Sequence, residues 1–80
     1  MILVEKNTNL IKHQDLNYTL EDHQVVVKDS YDNVKFIFGD LNKNTAYTAD
    51  VSHIDSFIGN KYIYENEEVV LNPDWVEPEV

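Results

Sequence analysis

The sequence predicts a mainly β (or α+β) fold: a small antiparallel sheet of five or six short strands, with one short helix near 51–58 and a C-terminal hairpin over 61–72. Three observations carry this. β-branched and aromatic residues come in short runs, among them Val25-Val26-Val27, Val34-Lys35-Phe36-Ile37-Phe38 and Tyr62-Ile63-Tyr64, and such residues favour strands. Clusters of Asn, Asp, Ser, Gly and Pro separate the runs and favour turns. Only residues 51–58 place apolar side chains at helical spacing.

Taken in order, Ile2, Leu3 and Val4 are consecutive and apolar, which suits a short strand covered on both faces. Residues 6–15 are polar except for Leu10 and Ile11 and read as a loop with one anchoring apolar pair. Residues 16–20 alternate, with Leu16, Tyr18 and Leu20 on one face, the period of a half-buried strand. Three valines at 25–27 favour a further strand over a helix. A polar connection at 29–33 then leads into the strand 34–38, so 24–38 reads as a hairpin. Gly39 ends it, a turn-rich stretch follows, and 45–49 reads as another strand.

Asp50 stands where a helix N-cap would stand, and Ile54, Phe57 and Ile58 share one helical face. Gly59 occupies the position of a C-terminal cap. The final hairpin joins Tyr62-Ile63-Tyr64 to Val69-Val70-Leu71 through a polar tetrapeptide. Residues 1–72 thus make one small β-rich domain. Residues 73–80, acidic and containing Pro73 and Pro78, are expected to form a partly mobile tail.

The charge is the main compositional anomaly. Fifteen acidic residues face six lysines with no arginine, for a net charge of −9, and five of those net charges fall within residues 61–80. Direct nucleic-acid binding needs a positive footprint, so that role is excluded. The acidity fits docking to a basic partner, mimicry of nucleic acid, or a solubilising surface. The opening apolar run is too short for a signal peptide or for a membrane span of about 20 residues. A soluble protein, located in a virion or a host cytoplasm, is the expectation.

Enzymatic chemistry finds little material. There is no cysteine, and hence no thiol nucleophile or zinc ribbon. His13, His23 and His53 lack metal-ligand spacing. Asp40-Leu41-Asn42-Lys43-Asn44 imitates the start of a calcium loop. It has Thr45 where glycine is required and Val51 where glutamate is required, so a plain turn is the better reading. No serine lies in a nucleophile elbow, and both glycines stand alone, which rules out a phosphate-cradling loop. We therefore expect a non-enzymatic protein without cofactor or metal. Tyr62, Tyr64 and Trp75, with Glu67 and Glu68 beside them, are the candidate partner-binding residues, since aromatic groups anchor protein interfaces. The alternative for the tyrosines is packing against Phe57 and Ile58.

Residues 57–78, from Phe57-Ile58-Gly59-Asn60-Lys61-Tyr62 through Asn72-Pro73-Asp74-Trp75-Val76-Glu77-Pro78, resemble the ending of small uncharacterised tail- and baseplate-associated proteins of phages and prophages of Gram-positive bacteria. The shared features are a lysine-tyrosine-aliphatic-tyrosine run, an asparagine-containing turn, an aliphatic run, and asparagine-proline before an acidic tail. Glu67 departs from the pattern, which expects glycine there. The resemblance implies a setting rather than a mechanism: a phage structural or accessory protein acting through protein contacts or self-association. Two alternatives stand beside it. One is an acidic inhibitor of a host nucleic-acid-binding protein; the other is a small carbohydrate-binding module built on exposed Tyr62, Tyr64 and Trp75.

Overall fold

The computed structural model describes residues 1–76; the last part of the expected tail, 77–80, lies outside the described residues. Eight short strands succeed one another: β1 (Ile2–Glu5), β2 (Ile11–Gln14), β3 (Tyr18–Leu20), β4 (Val25–Lys28), β5 (Val34–Phe38), β6 (Ala46–Ala49), β7 (Tyr62–Glu65) and β8 (Glu68–Leu71). They form two three-stranded sheets, ordered β2-β1-β6 and β3-β4-β5, and the hairpin β7-β8. Every pairing is antiparallel. The fold is mainly β, with eight strands where five or six are expected. Among the described residues there is no helix, and none is long and apolar enough to cross a membrane.

β1 organises the molecule. Its alternating side chains point to opposite faces, and both faces are covered. Leu3 joins Val25, Leu41 and Ala46 in one cluster, which Tyr18, Leu20 and Phe38 border. Ile2 and Val4 join Ile11 in a second, flanked by Tyr47, Val51, Ile54, Phe57, Tyr62 and Tyr64. A strand buried on both sides reads as an unbroken apolar run, and this one does.

The hairpin β7-β8 is tied to the first sheet rather than packed alone. Leu10 bridges Ile63, the Tyr64 N–H donates to the Asn9 carbonyl at 2.9 Å, and the Asn60 N–H donates to the Ile11 carbonyl at 3.0 Å. Its tip is Asn66-Glu67, both with positive φ (52° and 63°), which is the conformation of a two-residue I′ turn.

The helix expected at 51–58 is replaced by an irregular strap with turns. The apolar residues are still used, since Val51, Ile54 and Phe57 cover the Ile2–Val4–Ile11 cluster. What the spacing did not reveal is Gln14. Its Oε1 accepts from the Ile54 N–H at 2.7 Å, and its Nε2 donates to the Ile54 carbonyl at 3.1 Å. These bonds take the main-chain groups a helix would need. Two turns of Ser, His, Asp and β-branched residues have little propensity to compete. Ser56 completes the break with φ 55°. Gly59 is not a left-handed cap, since no glycine has positive φ. It permits a close approach: a Cβ there would meet the Lys12 carbonyl oxygen at 3.1 Å.

Two further readings are corrected. Residues 11–14, expected as loop, form β2; Ile11 is its one fully buried apolar residue and the polar His13 fills the other inward position, so the strand shows no apolar period. Leu16, expected on a strand face, lies before β3 and is 83% exposed. The calcium-like stretch is a turn in which the Asn42 side-chain oxygen accepts from the Asn44 and Thr45 N–H groups at 2.8 and 3.2 Å.

Candidate protein-docking surface

The site is built on β5. Glu21 N–H donates to the Gln24 carbonyl, and Lys28 N–H donates to the Asn17 carbonyl, so residues 24, 26 and 28 direct their main-chain groups toward β3. Antiparallel ladders alternate. Val25 and Val27 therefore bond to their β5 partners, Phe38 and Phe36, and the N–H and C=O of Ile37 point away from the sheet. Among the described residues no strand covers that side, because β5 ends its sheet.

The exposed edge is apolar. Val34 is 58% exposed, Phe36 53% and Ile37 46%. Natural edge strands are usually protected by charge, proline or bulges. Here the strand carries one lysine, Lys35, whose charge is met by Asp15 at 2.7 Å, and one bulge opposite Val27–Lys28, which leaves the stretch 36–38 of the edge regularly paired. β8, which also ends its sheet, starts with Glu68 and runs into Asn72-Pro73, so it carries the usual protection.

β5 is also held firmly from behind. Phe36 lies parallel to the His13 ring, with centroids 6.4 Å apart and planes 4° apart. Phe38 meets the same imidazole edge-on at 5.5 Å, and Phe36 and Phe38 meet at 4.9 Å. His13 and the Tyr18 hydroxyl share a 2.9 Å hydrogen bond. Burial in this cluster pulls the His13 imidazole below its ordinary value of 6.5, against a smaller opposing effect of Asp15. Burial likewise pushes the Tyr18 phenol well above its usual range. Both groups stay neutral at neutral pH, as an aromatic joint requires. Asp15 is lowered chiefly by its hydrogen bond from Lys35.

The residues singled out in the sequence lie elsewhere. Tyr62 and Tyr64 are half-buried against the Ile2–Val4–Ile11 cluster. The Tyr62 ring stacks on Phe57 at 6.3 Å and 20°. Their apolar faces are thus occupied by the chain itself. Glu67 and Glu68 are exposed at the tip of the last hairpin. Trp75 is half-buried, and its indole N–H has no hydrogen-bond partner among the described residues. His23 is exposed, and His53 lies 3.9 Å from Asp55 with its side chain 75% exposed. Among the described residues, no group of three or more His, Asp or Glu is placed to hold a metal ion.

An open cleft of about 560 Å³ adjoins β5, lined by Gln14, Asp15, Lys35, Asp50 and His53 among others. It gathers no nucleophile and base at hydrogen-bonding distance. The docking residues themselves carried one unused sequence signal. In 34–38 both Phe36 and its neighbour Ile37 are apolar, so the strand has an apolar group on each face. That demands cover on both sides or leaves one side exposed.

Comparison with protein-family models, curated proteins and solved structures yields no match.

Proposed function

We propose that the chain is a non-enzymatic interaction module that docks onto a protein partner through the open edge of β5. The carrying observation is the row Val34, Phe36 and Ile37, each about half exposed on a strand with one unpaired side. Contiguous exposed apolar groups on a small domain mark interaction surfaces. A phage tail or baseplate is the setting we propose for this docking, and it rests on the resemblance of residues 57–78 alone.

The packing of Tyr62 and Tyr64 on the core favours docking over sugar stacking. The test compares the native chain with Ile37→Lys, both immobilised and exposed to an extract of the source cells at low and high salt. Thermal unfolding establishes that the variant is folded. A stoichiometric partner retained by the native chain in high salt and lost with the variant supports docking through β5. Equal retention by both chains, or release by salt alone, overturns it.

A further inference from the structure

We infer that the occupant of the β5 edge is an extended segment of a basic partner, in which aliphatic residues alternate with Lys or Arg, added as a further antiparallel strand. The inference rests on the docking reading above and names what docks. Two features of the edge specify the occupant.

The first is main-chain geometry. The Ile37 N–H and C=O point outward from the ladder, and hydrogen-bonding groups on an open edge form a template for strand addition. A strand laid there extends the β3-β4-β5 sheet. Its side chains alternate between faces, so one set meets Phe36 and the other meets Ile37 and, beyond the bulge, Val34. The aromatic joint at His13 and the Lys35–Asp15 ion pair hold the template in place, which lowers the ordering needed on binding.

The second is charge. Asp29 and Asp32 precede the strand, Asp40 follows it, and Asp15 lies against Lys35. Lys28 and Lys35, the two lysines near the edge, already face Asp32 and Asp15. The rim therefore carries more carboxylates than ammonium groups, on a chain of net charge −9. Opposite charge on the partner accelerates encounter and fixes register. A second copy of the chain would bring another −9 to the same edge, and like-charge repulsion opposes it. Charge complementarity thus selects a basic partner over self-pairing.

The experiment uses the full chain, isotopically labelled, with three capped synthetic heptapeptides: Lys-Val-Arg-Val-Lys-Ile-Arg, its counterpart with Glu replacing every Lys and Arg, and a basic peptide of the same composition as the first with its charges in one block. Amide hydrogen exchange is followed residue by residue. The expected result is at least tenfold slower exchange of the Ile37 N–H with the alternating basic peptide, and no change with the acidic one. The blocked peptide should give much weaker protection, because alternation is lost. Ile37→Pro removes the outward N–H at an edge position where proline is tolerated, and it should abolish binding while the rest of the chain keeps its protection pattern. If Ile37→Pro does not fold, Ile37→Lys, which keeps the N–H and adds a like charge, should weaken binding of the alternating peptide at least tenfold.

Binding of the basic peptide without protection of Ile37 overturns strand addition and leaves charge-driven contact. Protection that grows with chain concentration in the absence of peptide makes a second copy the occupant, and overturns the inference. Failure of all three peptides also overturns it. Each of these outcomes leaves docking through β5 standing if cellular capture still depends on Ile37, so the two readings fail separately.

Discussion

At the scale of single residues, the least comfortable position is Glu67. It holds φ 63° in the second place of the I′ turn, beside Asn66 at 52°. Asparagine tolerates that region, whereas glutamate there suffers a clash of Cβ with the following carbonyl worth about 1–2 kcal/mol. Glycine removes the clash, but it gives the unfolded chain more freedom. The balance predicts that Glu67→Gly stabilises the domain by about 0.5–1 kcal/mol, a rise of about 3–6 °C in the unfolding midpoint for this size. Calorimetry of the two proteins checks this. An unchanged or lowered midpoint would mean that the Glu67 side chain has a stabilising contact outweighing its backbone conformation. The same scale explains Asp29, whose carboxylate accepts from the Tyr31 and Asn33 N–H groups at 2.8 and 2.9 Å. Those bonds, the one from Asn33 foremost, hold its carboxyl below the ordinary 3.8, and they close the loop that delivers the chain into β5.

At the scale of elements, the strap 50–60 shows how one side chain redirects a segment. Gln14, forty positions earlier in the chain than Ile54, bonds both main-chain groups of that residue. Its amide thereby behaves like the backbone of an extra strand beside β2. Gln14→Leu would keep the size and lose both bonds, leaving a half-buried N–H and carbonyl without partners. The expected loss of stability is about 1–3 kcal/mol, read as a lower denaturant midpoint. Exchange of the Ile54 amide should accelerate more than that of amides in β4. If Ile54 exchanged as slowly in the variant as in the native chain, the strap would be held by Val51 and Phe57 packing alone.

For the whole molecule, the joint between the two sheets is the ring cluster that places His13 of β2 against Tyr18, Phe36 and Phe38. Burial lowers the His13 value from 6.5, so in the window just below 6.5 the unfolded chain binds a proton that the folded chain refuses. Stability from this group is therefore complete above about pH 6.5 and declines as pH falls through that value toward the folded-state value. Asp15 and Asp29, both lowered from 3.8, act in a separate window, losing their contribution only below 3.8. We expect the unfolding midpoint of the native chain to fall between pH 7 and about pH 5, and His13→Asn to flatten that slope whatever its effect on the midpoint itself. An equal slope in both proteins would show that His13 titrates alike folded and unfolded. Because the joint also braces β5, the docking affinity should weaken over the same window.

Local chemistry in the sequence determined most of the strands. Val25-Val26-Val27, the run 34–38 and the tyrosine hairpin are β-prone by residue type, and the Asn, Asp and Gly clusters between them place the turns. The burial of β1 on both faces was equally legible, since three consecutive apolar residues suit an element covered on both sides. Only the tertiary structure decided what depends on distant partners. β2 is a strand because β1 pairs with it, and 51–58 is a strap because Gln14 reaches it. Phe36 and Ile37, on opposite faces of β5, stay half exposed because β5 lies at the end of its sheet rather than in the middle. Strand identity is set by a residue's nearest neighbours along the chain, whereas edge or centre is set by which strands remain to pair. That is why the residue pattern put apolar groups on both faces of 34–38, and only the topology made that strand an open edge.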